Sequence, residues 1–169
     1  MADTKDWTWT LERVCPECGF DAGGVPADGI AGLVLELTRP WPQVLQRSSV
    51  RERPAPEVWS ELEYAAHVRD VCPVFDGRVR QLLVEDPAEF ENWDQDQAAV
   101  DGRYDEQDPA QVSGELVAAA AAVSAQFAQV PDGAWSRRGI RSNGSHFTVL
   151  TLGQYMLHDL AHHLHDVRA

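Results

Sequence analysis

The stretch PAQVSGELVAAAAAVSAQFAQV, residues 109–130, constrains the fold more than any other. Its alanine run favours helix strongly, because alanine loses no side-chain entropy on entering one. Three other stretches read the same way. The first starts near Ala27–Asp28, with Asp28 as N-cap, and continues through IAGLVLEL until Pro40 and Pro42 interrupt it. The second follows the linker RERPAPE and begins VWSELEYAAHVRDV. There Ser60 and Glu63 have the spacing of a capping box, and Pro73 is expected to bend the helix before it resumes through VFDGRVRQLLVED. The last starts near Thr148 and runs to the C-terminus. Four helices with a long link between the second and third predict an all-α four-helix bundle.

Residues 86–108 are acidic and aromatic without a period and read as a long crossing loop with at most a helical turn. Residues 131–147, rich in glycine, serine and arginine, have room for a short hairpin. Residues 1–26 form an irregular N-terminal segment and residues 27–169 the bundle. No apolar run approaches the roughly 20 residues that span a bilayer, and the polar, aromatic start MADTKDWTWT has no signal-peptide character. A cytoplasmic protein is expected. A net charge of −13 repels nucleic acid and anionic membrane, and favours small or cationic partners.

Four of the six histidines lie in YMLHDLAHHLHDV, residues 155–167. At about 100° per residue, Leu152, Met156, Leu157, Leu160, Leu164 and Val167 share one apolar arc. His163 lies at its edge, with Asp159 one turn earlier on the same flank. His158, His162 and His165 fall on the polar side, so the HxxxH pair His158–His162 is expected to point away from the core. The Asp159–His163 pair stacks one side chain above the other, as a metal site on a helix requires. His67 sits at the edge of an apolar face with Tyr64, Val71 and Val74. His67, Asp159 and His163 would supply N, O and N ligands and leave positions open for Lewis-acid chemistry. Zinc, nickel and iron can all use this set. Against it stands the ordinary reading of surface histidines that favour a helix C-terminus.

The residues VWSELEYAAHVRDV resemble the second helix of the DinB/YfiT-like superfamily, and HDLAHHLHDV resembles its last helix, with His163, Asp166 and Val167 in the terminal pattern. The resemblance implies a four-helix bundle, often dimeric, whose divalent metal is held by one residue of the second helix and an i,i+4 pair of the last. Carried over by position, these are His67, Asp159 and His163. Many members have histidine where this chain has Asp159. Mycothiol-dependent maleylpyruvate isomerases are similar in using a carboxylate there, which leaves less positive charge on the metal. The implied activity is thiol-dependent transfer or isomerisation with mycothiol or another low-molecular-weight thiol, on an unknown substrate. The rival is a non-catalytic binding or stress protein with a weak or empty site.

CPECG places Cys15 and Cys18 at metal-knuckle spacing, but no second CxxC follows. The pair admits four readings: a metal site completed by Cys72 and a histidine, a metal shared between subunits, a redox pair, or a tight turn with incidental thiols. A zinc-stabilised interaction module is the third functional reading. Arg137, Arg138 and Arg141 are dense for so acidic a chain. Arg138 and Arg141 are candidates for binding a carboxylate of the thiol or substrate, against the commoner role of a solvated loop. Trp59, Trp93, Tyr104 and Trp135 are expected to pack at helix ends, and Tyr64 and Tyr155 to lie near the proposed ligands.

Overall fold

A computed structural model describes residues 6–169. Part of the N-terminal stretch considered above, residues 1–5, lies outside them. The bundle is made of α1 (Ile30–Thr38), α3 (Glu61–Val84), α5 (Pro109–Ala128) and α6 (Val149–Asp166), with the one-turn α2 (Trp41–Val44) and α4 (Gln95–Asp101) in the connections. Helices α1 and α3 each pack against both α5 and α6. Trp41, Leu62, Phe127, Leu152 and Leu160 are among the side chains sealed in the shared core.

The helix starts are encoded locally. Ser60 and Glu63 close the capping box at α3, and Thr148 and Thr151 do the same at α6. Asp108 accepts the Gln111 amide at 2.9 Å, with Pro109 in the first turn of α5. The first helix differs from expectation. Residues 27–29 form a 3-10 turn, and Gly29 precedes α1 without a side-chain cap, so Asp28 does not cap it. The prolines do break this helix, between Thr38 and Trp41. By contrast, α3 runs unbroken through Pro73, since tertiary packing on α5 and α6 offsets one missing backbone bond.

The crossing segment holds more structure than a loop. Its strand β1 (Ala88–Phe90) pairs in parallel with β2 (Arg138–Arg141), which forms the expected hairpin with β3 (His146–Thr148). A three-residue strand has no detectable period, and its partner lies about 50 residues away, so only the fold reveals it. The sheet fixes where α6 begins, because β3 runs directly into it.

Gly153 is where α6 crosses its neighbours. A Cβ built there would lie 3.0 Å from Ile30 Cγ2 of α1 and 3.0 Å from Phe127 Cε1 of α5. Gly153→Leu is therefore expected to force these helices apart and cost about 2–3 kcal/mol by overpacking. Denaturant unfolding checks this.

Glu63 is 3% exposed. It accepts hydrogen bonds from Arg53 and from the Ser60 amide. Burial alone would raise its pKa, but Arg53 and Ser60 outweigh burial and hold the carboxyl below its usual range. A carboxylate with a depressed folded pKa stabilises fully above its unfolded value and loses that contribution as pH falls through the folded one. Glu63→Gln is thus expected to cost about 1–2 kcal/mol at pH 7, with half-exposed Arg53 keeping the loss modest. The gap from wild type should close below about pH 4, and melting temperatures measured from pH 7 down to pH 3 test it.

Candidate metal centre

His67 lies two turns into α3, and Asp159 and His163 lie near the end of α6. The two helices run antiparallel, so His67 faces the DxxxH pair, just as Phe75 further along α3 faces Tyr155 further back on α6. His67 Nε2 is 3.3 Å from Asp159 Oδ2, and His163 Nε2 is 3.5 Å from Asp159 Oδ1. One ligand atom from each of the three residues falls within 4.8 Å of the others. Nitrogen and oxygen ligands about 2.0–2.1 Å from a tetrahedral ion stand about 3.3–3.4 Å apart, so this donor set fits a metal.

The surroundings hold these donors in place. His163 Nδ1 is 2.9 Å from Asp166 Oδ2, which fixes the ring and turns Nε2 toward Asp159. That Nε2 is buried and has no hydrogen-bond partner among the described residues. His67 is 1% exposed, stacks on Trp93 with ring centres 5.4 Å apart, and meets His163 edge-on at 4.8 Å. Trp59 also lies against His67, and Tyr64 against His163, so both aromatics wall the histidines.

Charge is shared unequally here. Burial opposes a charge on His163, but Asp159 and Asp166 overcome it and raise its pKa to about 9. Burial would likewise raise Asp159, yet His163 and His67 hold it well below the usual carboxylate range. In His67 burial wins over Asp159, and the ring stays neutral. A carboxylate between two imidazoles, one of them already neutral, is chemistry that a divalent cation can replace.

These three residues open onto a cavity of about 330 Å³. Arg78 and Arg141 also line it, each 8% exposed. Among the described residues neither guanidinium forms an ion pair. Arg78 donates to the Glu91 carbonyl at 3.1 Å and lies over the Phe75 and Phe90 rings. Arg141 donates to Asn143 Oδ1 at 2.9 Å. Burial and the neighbouring Arg141 push the Arg78 pKa down to about 10, which leaves it charged at neutral pH.

Of the arginines proposed from sequence, Arg141 lines the cavity. Arg138 does not: it is exposed and pairs with Asp86 at 3.0 Å. Arg137 donates to the Leu82 carbonyl. Tyr155 lines the cavity and Tyr64 does not. Arg78 was missed. A signal existed, since it stands eleven residues after His67, three turns along nearly the same face of α3.

The expectation for the HxxxH pair fails. His158 is 4% exposed, and only 12% of the His162 side chain is exposed. Residues before α1 fold over this side of α6 and seat Trp7 against both rings, at 5.5 Å and 5.1 Å. Burial and His162 push the His158 pKa down to about 4. The helical wheel sees only one helix and cannot register a cover supplied from more than 100 residues away. Of His158, His162 and His165, only His165 is exposed. Cys72, buried in α3 and bonded to the Val68 carbonyl, does not join Cys15 and Cys18.

The family model of the DinB superfamily matches residues 34–167. The chain belongs to the DinB superfamily. Among solved structures, the DinB bundle here resembles YfiT from Bacillus subtilis, with a TM-score of 0.69 over 86% of this chain and 87% of that one. Identity is 15%, so the likeness is one of fold. That protein is described as a probable metal-dependent hydrolase with an unusual four-helix bundle topology. No curated protein matches the sequence. No helix of the described residues is long and apolar enough to cross a membrane.

Proposed function

We propose that this DinB protein is a divalent-metal-dependent transferase or isomerase acting with a low-molecular-weight thiol, mycothiol or a relative of it. His67, Asp159 and His163 hold the metal, most simply zinc. One observation carries the reading: the three donors and two buried guanidinium groups, neither in an ion pair among the described residues, line the same cavity. Such an ion lowers the pKa of a thiol or water bound to it, making a nucleophile at neutral pH.

The protein's own part is to position and to exclude water. His67 and Arg78 are roughly 16 Å apart along α3, so the cavity suits an extended small molecule. Arg141 and Arg78 attract a carboxylate of the thiol or its co-substrate and fix which end points at the histidines. Trp93 and Trp59 keep His67 in place, and Asp166 does so for His163. A homodimer is part of this reading, and sedimentation tests it.

Turnover assays of the zinc-loaded protein with several thiols and electrophilic acceptors test the activity. Thiol-dependent product formation is expected, lost in His67→Ala. Hydrolysis without any thiol would make water the nucleophile, the activity suggested for YfiT. Metal uptake with no turnover would favour the non-catalytic binding protein.

A further inference from the structure

The sequence HDLAHH carries two i,i+4 pairs, offset by one residue. Asp159 and His163 face α3, whereas His158 and His162 are turned about 100° away, toward the N-terminal segment. There they meet Cys15 and Cys18. One ligand atom from each of these four residues lies within 4.8 Å of all the others. We propose that Cys15, Cys18, His158 and His162 form a second, structural metal site of Cys2His2 type, with zinc as its natural occupant.

The geometry supports a tetrahedral ion. Cys15 Sγ is 3.8 Å from His162 Nδ1, against about 3.5 Å between sulfur and nitrogen ligands of one zinc. Cys15 is fully buried, and His158 Nε2 is buried with no hydrogen-bond partner among the described residues. The CPECG turn is shaped as a knuckle: the Gly19 amide donates to the Cys15 carbonyl at 2.8 Å, and Gly19 takes a φ of +73° that favours glycine. The far nitrogen of His162 is 3.6 Å from Glu17 and 3.9 Å from Asp166, carboxylates placed to orient the ring. Four protein ligands close the coordination sphere, so this ion would hold structure rather than carry out chemistry.

Its role follows from what it ties together. Cys15 and Cys18 lie before residue 34, where the match to the DinB family model begins, and His158 and His162 lie inside it. The metal would pin the N-terminal segment onto α6. That segment supplies Asp6 and Trp7 to the wall of the cavity. The two sites share α6 but no ligand, so each can be lost alone.

The test is cobalt substitution of the full-length protein under reducing conditions, read by absorption. Thiolate ligands give cobalt an intense near-ultraviolet charge-transfer band, and a His/Asp/His centre gives none. Apo wild type should take up two equivalents of cobalt and show this band. His163→Ala should lose one equivalent and keep the band. Cys18→Ser should lose the other equivalent and the band. If Cys18→Ser fails to fold, His162→Ala and the wild-type titration decide. No thiolate band in wild type would overturn the proposal. So would a Cys15–Cys18 disulfide that forms and reduces reversibly while zinc is never retained, which would make the cysteines a redox pair. A wild type that binds a single equivalent with the thiolate band, unchanged in His163→Ala, would undo only the proposed centre at His67 and leave this one standing.

Discussion

Asp159→Ala is expected to weaken metal binding at the His67 centre by at least about a hundredfold, removing one equivalent of metal relative to wild type. Asp159 is the hub of the site, at 3.3 Å from one histidine and 3.5 Å from the other. Without it, two imidazoles face each other edge-on with no anion between them. The pKa of His163 should then fall from about 9, because Asp159 contributes more than Asp166 to overcoming its burial. Two neutral nitrogens remain, too few to hold a zinc against competition. Elemental analysis after dialysis, with chelator competition for the affinity, provides the measurement. His165→Ala is the control: it alters the same helix at an exposed position and should change nothing. Equal metal content in Asp159→Ala and wild type would remove the carboxylate from the centre.

The second large effect is expected from Arg78→Met, and it should act in two directions. Arg78 is a buried cation with no ion-pair partner among the described residues, and Arg141 lies close enough to depress its pKa. Replacing an uncompensated buried charge by an apolar side chain of similar length often stabilises a fold. Some of that gain is offset by the lost contacts with Phe75, Phe90 and the Glu91 carbonyl. A net gain of about 1–2 kcal/mol is expected, raising the melting temperature by roughly 3–6 °C. The same change should weaken binding of a carboxylate-bearing thiol such as glutathione by about 2–3 kcal/mol, roughly 30–150-fold. A more stable protein that no longer discriminates carboxylates would identify Arg78 as a group retained for its ligand. A less stable protein with unchanged affinity would make it structural.

Much of the architecture was legible because its signals are local. A capping box needs only Ser60 and Glu63, an N-cap only Thr148 and the residues after it, and an alanine-rich helix only its own composition. These interactions span three or four residues, and the surrounding fold scarcely alters them. The His67, Asp159 and His163 set was legible for a related reason. A helical face is a property of spacing, and the family resemblance supplied which faces meet.

What escaped depends on contacts between distant segments. Strand β1 exists because β2 offers it a partner. Arg78 sits on the right face of α3, but its burial beside Arg141 requires the β2–β3 hairpin to be folded against that helix. The plainest case is YMLHDLAHHLHDV. Periodicity alone assigns one apolar face and one pair at its edge, and it correctly put Asp159 and His163 on that edge. It also assigned His158 and His162 to water. By itself the sequence determined the helices, their order, and the stacking of each i,i+4 pair. Only the tertiary structure decided that both flanks of α6 are covered, one by His67 of α3 and the other by Cys15 and Cys18. Spacing determines which side chains share a direction, and what stands in that direction is set by the path of the rest of the chain.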